Sequence, residues 1–226
     1  MKTEVIVPAA GLGKRLKSRL PKALVPVGKK PLLVYALEVF EKSSLINSVT
    51  IAVPGKYISV FEKAVVRYRL SKVRKIVVGG ATRRESVFAG LKALDRNTQA
   101  VLIHDAARPF VTEKMLKAAI SALKKEKAAI IAVPVKSTIK VADKKDLVKE
   151  TPKRETLWEV QTPQAFRKDV ILEAHRRVKD KDPSDDALLV ERLGVRVKII
   201  PGDYKNIKIT TQEDVILAEN FLNHRK

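Results

Sequence analysis

Cysteine is absent from the 226 residues. That excludes disulfides, thiolate metal sites and a cysteine nucleophile. Histidine is scarce: His104, His175 and His224 are scattered, which argues against a histidine-rich metal centre as well. Aromatic residues make up only 5% of the chain, and it has no aromatic-rich RNP motif, zinc-ligand spacing or basic repeat. A nucleic-acid partner is therefore not expected. No apolar run approaches the roughly 20 residues that span a bilayer. Met1-Lys2-Thr3-Glu4 passes directly into Val5-Ile6-Val7-Pro8, a run too short for a signal-peptide core. The expected location is cytoplasmic, with no membrane partner.

Acidic residues are outnumbered, 25 against 46 Lys and Arg, leaving a net charge of +21. Such an excess fits an anionic partner, namely a nucleotide, a phosphorylated substrate or nucleic acid. It also fits a plain solvated surface, and the lysines of Lys114–Lys127 suit water-facing helix positions. High charge with no cysteine and few Gln is in keeping with adaptation to heat.

A chain of this length accommodates one sizeable α/β domain, residues 1–226, with a small appendage. Glu4–Pro8, Val49–Pro54, Lys75–Val78, Val101–His104 and Ala129–Val135 are nearly continuous apolar runs, the pattern of strands buried on both faces. Between them, Leu32–Lys42, Ile58–Leu70, Glu85–Leu94 and Glu113–Lys124 read as amphipathic helices. In the last, Leu116, Ile120 and Leu123 recur at helical spacing behind a Thr112 cap. This alternation predicts an α/β fold, a mostly parallel central sheet with helices on both faces.

After Val135 the rhythm changes. Thr138–Ala142 and Leu147–Thr151 flank the polar turn Asp143-Lys144-Lys145-Asp146 and read as a β-hairpin arm within residues 136–156. A two-stranded hairpin is marginal alone in water, so the arm is expected to rest on another subunit. Helices follow at Lys168–Val178 and Asp185–Leu193, then a strand Val195–Ile200. A last helix, Glu213–Leu222, opens on the capping-box-like Thr211-x-x-Asp214.

Chemistry concentrates where strands end. Pro8-Ala9-Ala10-Gly11-Leu12-Gly13-Lys14-Arg15-Leu16 puts two glycines just past the first strand, where a backbone can approach a phosphate chain and aim N–H groups at it. It is neither a dinucleotide fingerprint, since Leu16 fills the sixth position of G-x-G-x-x-G, nor a Walker A loop. A tight strand-to-helix turn would have the same sequence. Arg15 and Lys22 lie in this segment, and fixed cations stabilise charge that develops on a triphosphate during displacement. Asp105, just past the fourth strand in His104-Asp105-Ala106-Ala107-Arg108-Pro109-Phe110, suits one or two positions on Mg²⁺, or simply caps a helix. His104 reads as a structural, hydrogen-bonded residue.

The loop P-A-A-G-L-G-K-R with P-K-A-L, the run G-G-A-T-R-R-E-S-V (Gly79–Val87), H-D-A-A-R-P, L-W-x-V-Q-T-P-Q-x-F (Leu157–Phe166), S-D-D-A (Ser184–Ala187) and N-I-K-I-T (Asn206–Thr210) resemble, in this order, the 2-C-methyl-D-erythritol 4-phosphate (MEP) cytidylyltransferases. The resemblance runs from Val5 to about Leu222. It implies a Rossmann-like nucleotidyltransferase fold, dependence on Mg²⁺ or another divalent cation, and a homodimer built through the arm. The activity implied is transfer of CMP from CTP to methylerythritol phosphate in non-mevalonate isoprenoid synthesis. By motif, Ala9, Ala10, Gly11, Gly13, Gly80, Ser86, Ala106 and Arg108 would contact CTP. Arg15 and Lys22 would be catalytic and Asp105 would hold the metal. Thr138, Arg154, Thr162 and Lys208 would position the acceptor phosphate, the first two from the partner's arm. Ala81 and Thr82 depart from the polar, often acidic, pair of the family, so the cytosine would be read mainly by backbone. Lys22-Ala23-Leu24 also lacks the polar residue often found after that lysine.

The implied nucleophile is a phosphate monoester, mostly dianionic at neutral pH because its second pKa is about 6. The absence of a Ser/His/Asp or Cys/His constellation is therefore expected. Ribitol-phosphate cytidylyltransferases are the nearest alternative, although Ala106-Ala107 favours the MEP branch. A nucleic-acid-binding module, suggested by charge alone, is a remote one.

Overall fold

The apolar runs become strands whose alternate residues serve two different cores. The computed structural model describes residues 1–11, 20–179 and 183–223. Its main sheet contains β1 (Thr3–Pro8), β4 (Ser48–Val53), β5 (Val73–Val78), β6 (Ala100–Ile103), β7 (Ala128–Pro134), β10 (Trp158–Arg167) and β11 (Val197–Pro201) in the order β11-β7-β10-β6-β1-β4-β5. Two short ladders complete the strands: β2 (Pro26–Val27) with β3 (Lys30–Pro31), and β8 (Val141–Ala142) with β9 (Val148–Glu150).

Because side chains alternate along a strand, Val5 and Val7 face one way and Ile6 the other. The first pair joins a core with α1 (Leu32–Lys42), α2 (Ile58–Arg67) and α4 (Glu113–Ala122) through Leu37, Phe40, Phe61 and Leu116. Ile6 joins a second core with α3 (Arg83–Lys92), α5 (Lys168–Arg177) and α6 (Asp186–Glu191) through Val87, Leu91, Ile171 and Leu189. The sheet is thus covered on both faces, as its unbroken apolar strands require. A methyl added at Gly90 would sit 2.5 Å from Ile6 Cγ2, so α3 lies on β1 at a distance only glycine allows.

The α7 helix (Gln212–Asn223) sits on a third cluster with Val27, Leu32, Ala107, Phe110 and Ile209. Its start is reciprocal: Asp214 Oδ2 accepts from Thr211 N at 2.9 Å and Thr211 Oγ1 accepts from Asp214 N at 3.4 Å. Thr112 caps α4 by accepting from Met115 N.

Several helices depart from the expected bounds by one to three residues, two of them for evident local reasons. The second stops at Arg67, because Arg69 turns left-handed (φ 52°) and Leu70 N returns to the Val65 carbonyl. The third begins at Arg83, because Thr82 and Glu85 form a full capping box there.

The larger departure is β10, which the sequence did not predict as a strand. Its ten residues run antiparallel between β6 and β7, near the middle of an otherwise parallel sheet. Pairing with β7 shifts register between Val160 and Gln164, around a cis Thr162–Pro163 bond. Gln161, Thr162 and Gln164 are buried there despite their polarity.

The expected hairpin exists but is short, β8 and β9 alone. Asp143 Oδ1 organises its turn, accepting from Lys145 N and Leu147 N. From Lys136 to Val160 no residue is buried.

Candidate active site

The carboxyl ends of β1, β5 and β6 open onto one cavity, where parallel sheets bind ligands. Its volume is about 210 Å³, and Ala9, Ala10, Gly11, Lys22, Gly80, Ser86, Asp105, Ala106 and Lys208 line it, with Arg83. A neighbouring cavity of about 270 Å³ is lined by Arg108, Thr162, Gln164 and Asp185. Arg83, Asp105 and Lys208 line both. They form the seam between the two.

Each seam residue is fixed by its own element. The capping box makes Arg83 the first residue of α3. Asp105 follows β6, where His104 N continues the ladder to the Ile6 carbonyl. Lys208 is held close by the Ile209 N bond to the Ala107 carbonyl, 2.9 Å, over the buried Ile209. The ions then meet. Arg83 Nε donates to Asp105 Oδ1 at 3.2 Å and Lys208 Nζ lies 2.7 Å from Asp105 Oδ2. Burial alone would raise the Asp105 carboxyl, but Arg83 and Lys208 outweigh it and hold it well below the usual carboxylate range. Asp105 is thus a fixed anion and not a helix cap.

Behind the seam lies a hydrogen-bonded chain that fixes Thr162. His104 Nε2 is 3.0 Å from the Arg108 carbonyl, which can only accept, so Nε2 carries the ring proton. Nδ1 then accepts from the Thr162 hydroxyl at 3.0 Å, and Thr162 Oγ1 accepts from Asp105 N at 3.1 Å. Burial pushes the His104 pKa down to about 4, against the smaller upward pull of the Arg108 carbonyl and Asp105. His104 is structural and neutral, as its position at a strand end suggested.

Arg108 stands apart from the first cavity. Its guanidinium donates to the carbonyls of Asn206 (2.6 Å) and Val160 (3.1 Å), tying the Lys208 loop to β10. Asn206 Nδ2 closes that tie by donating to the Thr162 carbonyl at 2.9 Å. Ser86 has a comparable local duty: Oγ accepts from Gly80 N and donates to the Thr82 carbonyl, which shapes the turn lining the first cavity. A Cβ at Gly80 would lie 2.2 Å from that of Glu85, so the turn leaves no room for a side chain.

Of the residues singled out from sequence, Gly13 and Arg15 lie outside the described residues. Thr138 and Arg154 are exposed in the arm and line neither cavity; Arg154 donates to the Lys136 carbonyl. Arg83 was missed. The signal for it was the box Thr82-x-x-Glu85, which places two arginines at a helix start beside the glycine turn, the first of them Arg83. Among the described residues no group of three or more His, Asp or Glu gathers at a metal-ligating distance.

A mostly parallel sheet with a glycine-bearing loop, a fixed carboxylate and converging cations at its carboxyl edge defines an α/β enzyme that handles phosphorylated substrates. The chain belongs to the 2-C-methyl-D-erythritol 4-phosphate cytidylyltransferase family, whose model matches residues 3–224. The 2-C-methyl-D-erythritol 4-phosphate cytidylyltransferase of Alkaliphilus oremlandii is 44% identical over 228 residues, spanning 100% of this chain and 97% of that protein. Its Geobacter metallireducens counterpart is 45% identical over 227 residues, 97% of each. The crystal structure of 4-diphosphocytidyl-2C-methyl-D-erythritol synthase from Anaerococcus prevotii superposes with a TM-score of 0.86 at 34% identity, covering 99% of both chains.

Proposed function

We infer that this protein transfers CMP from CTP to 2-C-methyl-D-erythritol 4-phosphate, releasing pyrophosphate. The observation that carries the inference is the pair of adjoining cavities sharing the Arg83, Asp105 and Lys208 seam. The first takes CTP and the second the acceptor. The base sits against Gly80, Ala81, Thr82 and Ser86. The Ala81 side chain offers no polar atom and the Thr82 hydroxyl serves the helix cap, so backbone groups of this turn read the cytosine.

The acceptor phosphate oxygen attacks the α-phosphorus of CTP, and the bond to the bridging oxygen breaks as pyrophosphate leaves with its electron pair. An already dianionic phosphate needs no general base. With both ring nitrogens engaged in the fold, His104 is not one. The chain's task is to suppress repulsion between two polyanions and align them. Lys22, half-buried on the first cavity, and Arg15 from the same loop carry the transition-state charge. Lys208 and Thr162 place the acceptor phosphate. Arg108 acts indirectly, by holding the Lys208 loop.

Mg²⁺ fits the donor set. Asp105 supplies one ionised hard oxygen ligand, with lone pairs left beyond its two ion pairs, and phosphates with water complete the shell of such ions. When bound, the cation would screen the triphosphate and favour departure of pyrophosphate. Thr138 and Arg154 reach a partner subunit's acceptor cavity in a homodimer built through the arm, and the enzyme works in the cytoplasm.

The acceptor is tested by assaying pyrophosphate release with CTP and either MEP or ribitol 5-phosphate. We expect kcat/KM for MEP to exceed that for ribitol 5-phosphate by at least about a hundredfold, the scale of discrimination by fixed polar contacts. The reverse order would move the protein to the ribitol branch.

A further inference from the structure

A buried aspartate–histidine pair behind the seam touches neither cavity. Asp186, at the start of α6, is 1% exposed, and His175 on α5 is 4% exposed. Neither lines either of the two cavities described above. Asp186 Oδ2 accepts from Arg83 NH1 at 2.6 Å, while Oδ1 lies 3.1 Å from His175 Nε2. The Asp186 N–H donates to Gln164 Oε1, and the His175 ring stacks on Phe88 with planes 6° apart. Both partners are thereby immobilised.

An apolar side chain would fill this place at a smaller desolvation cost. Removing a carboxylate from water is costly, and apolar replacements of buried ion pairs are often neutral or stabilising. What the pair does is fix Arg83. A guanidinium on a flexible stem, held only by Asp105, keeps several rotamers. With NH1 on Asp186 and Nε on Asp105, its plane is set.

We propose that Asp186, backed by His175, is a positioning residue for CMP transfer, locking the Arg83 guanidinium at the seam where Arg83 orients Asp105 and meets the phosphates of both substrates. The proposal rests on the transfer reading above and deepens it. Of the three seam residues the Asp186 carboxylate touches Arg83, so the effect of its loss on kcat matters only while Arg83 is present.

The test is a double-mutant cycle of wild type, Asp186→Asn, Arg83→Ala and the double variant, assayed with CTP and MEP. Asp186→Asn lowers kcat at least about tenfold and raises KM for MEP severalfold, with KM for CTP within about twofold. Its Tm falls, because Asn leaves Arg83 short of one carboxylate, so kcat is read where both proteins are fully folded, and Asp186→Glu recovers part of the rate. In the Arg83→Ala background, adding Asp186→Asn changes kcat by less than about twofold. A full effect retained without Arg83, or a kcat loss that disappears once only folded protein is counted, overturns the proposal. Should Asp186→Asn not fold, Asp186→Leu runs the same cycle. The Arg83 Nε–H resonance gives a readout independent of turnover. It exchanges faster with water in Asp186→Asn; an unchanged signal overturns the positioning role even if wild type proves active. An inactive wild type with the expected change in that signal would instead fault the transfer reading.

Discussion

The seam and the arm break the ordinary rule of burial in opposite directions. At the seam, Asp105, Arg108, Asp186 and Asn206 are buried although polar or charged. In the arm, Ile139, Val141, Leu147 and Val148 are exposed although apolar, with Trp158 and Val160 at its base. Buried charge survives only when paired, and the partners here come from α3, the end of β6, the 206–210 loop and α6. Four separate parts of the chain are thereby locked around one point. Among the described residues the arm has no such partners within its own chain. Its turn is self-organised by Asp143 and its base is pinned by Tyr204, whose hydroxyl donates to the Pro134 carbonyl while Lys136 Nζ sits 3.6 Å from the ring centroid. Its apolar surface is left over, which is why we assign it to a partner subunit. The first violation falls at the cavities of the proposed reaction, and the second on the surface we assign to a partner.

The largest expected effect breaks the seam. Asp105→Asn removes the charge that balances Arg83 and Lys208, and breaking a buried pair leaves an uncompensated charge. Activity should fall by at least about a hundredfold, with loss of the wild-type Mg²⁺ half-saturation. An unaltered Mg²⁺ titration would remove Asp105 from the metal site.

Nearly as large is the effect that joins the two regions. Lys22→Met and Arg154→Ala homodimers should each be nearly inactive. If Arg154 serves the partner's site, a mixed dimer has one site with both lesions and one with neither. Random exchange of equal amounts then restores about a quarter of wild-type activity, because about half the dimers are mixed. Verified mixed dimers without turnover would confine each site to one protomer.

A smaller change sharpens the division within the seam. Lys208→Ala should raise KM for MEP about tenfold and leave KM for CTP nearly unchanged. Equal effects on both would count against an acceptor role for Lys208.

The remaining effect leaves turnover aside and concerns stability. His104 is held neutral, with a folded pKa of about 4 against about 6.5 when unfolded. A base with a depressed pKa stabilises the fold above its unfolded pKa and loses that contribution as pH falls toward the folded one. Between about pH 6.5 and 4 the unfolded chain binds the extra proton, and the loss is on the order of 3 kcal/mol. Urea melts at pH 7 and 4.5 should show a steeper decline for wild type than for His104→Gln.

Strands were legible where both faces are apolar, as in β1, β4 and β7. By contrast β10 was hidden: Gln161-Thr162-Pro163-Gln164 has no apolar alternation, and Pro argues against a central strand. Its polar side chains are buried because Asn206, His104 and Asp185 satisfy them, which no local pattern reveals. The same limit applied to the seam. The glycine loop and His104–Phe110 stood out as contiguous motifs. Arg83 meets Asp186 from 103 positions away, so their pairing is a property of the fold and not of any segment.

The account stands most directly on where the new bond forms. Incubating the protein with CTP, MEP and Mg²⁺ and following ³¹P NMR should show CTP and MEP signals replaced by a coupled pair from a diphosphate diester. One free pyrophosphate should appear per product, and neither change should occur without the protein. Release of inorganic phosphate with CDP, or unchanged CTP and MEP resonances, would contradict attack at the α-phosphorus and the assignment of the two cavities with it.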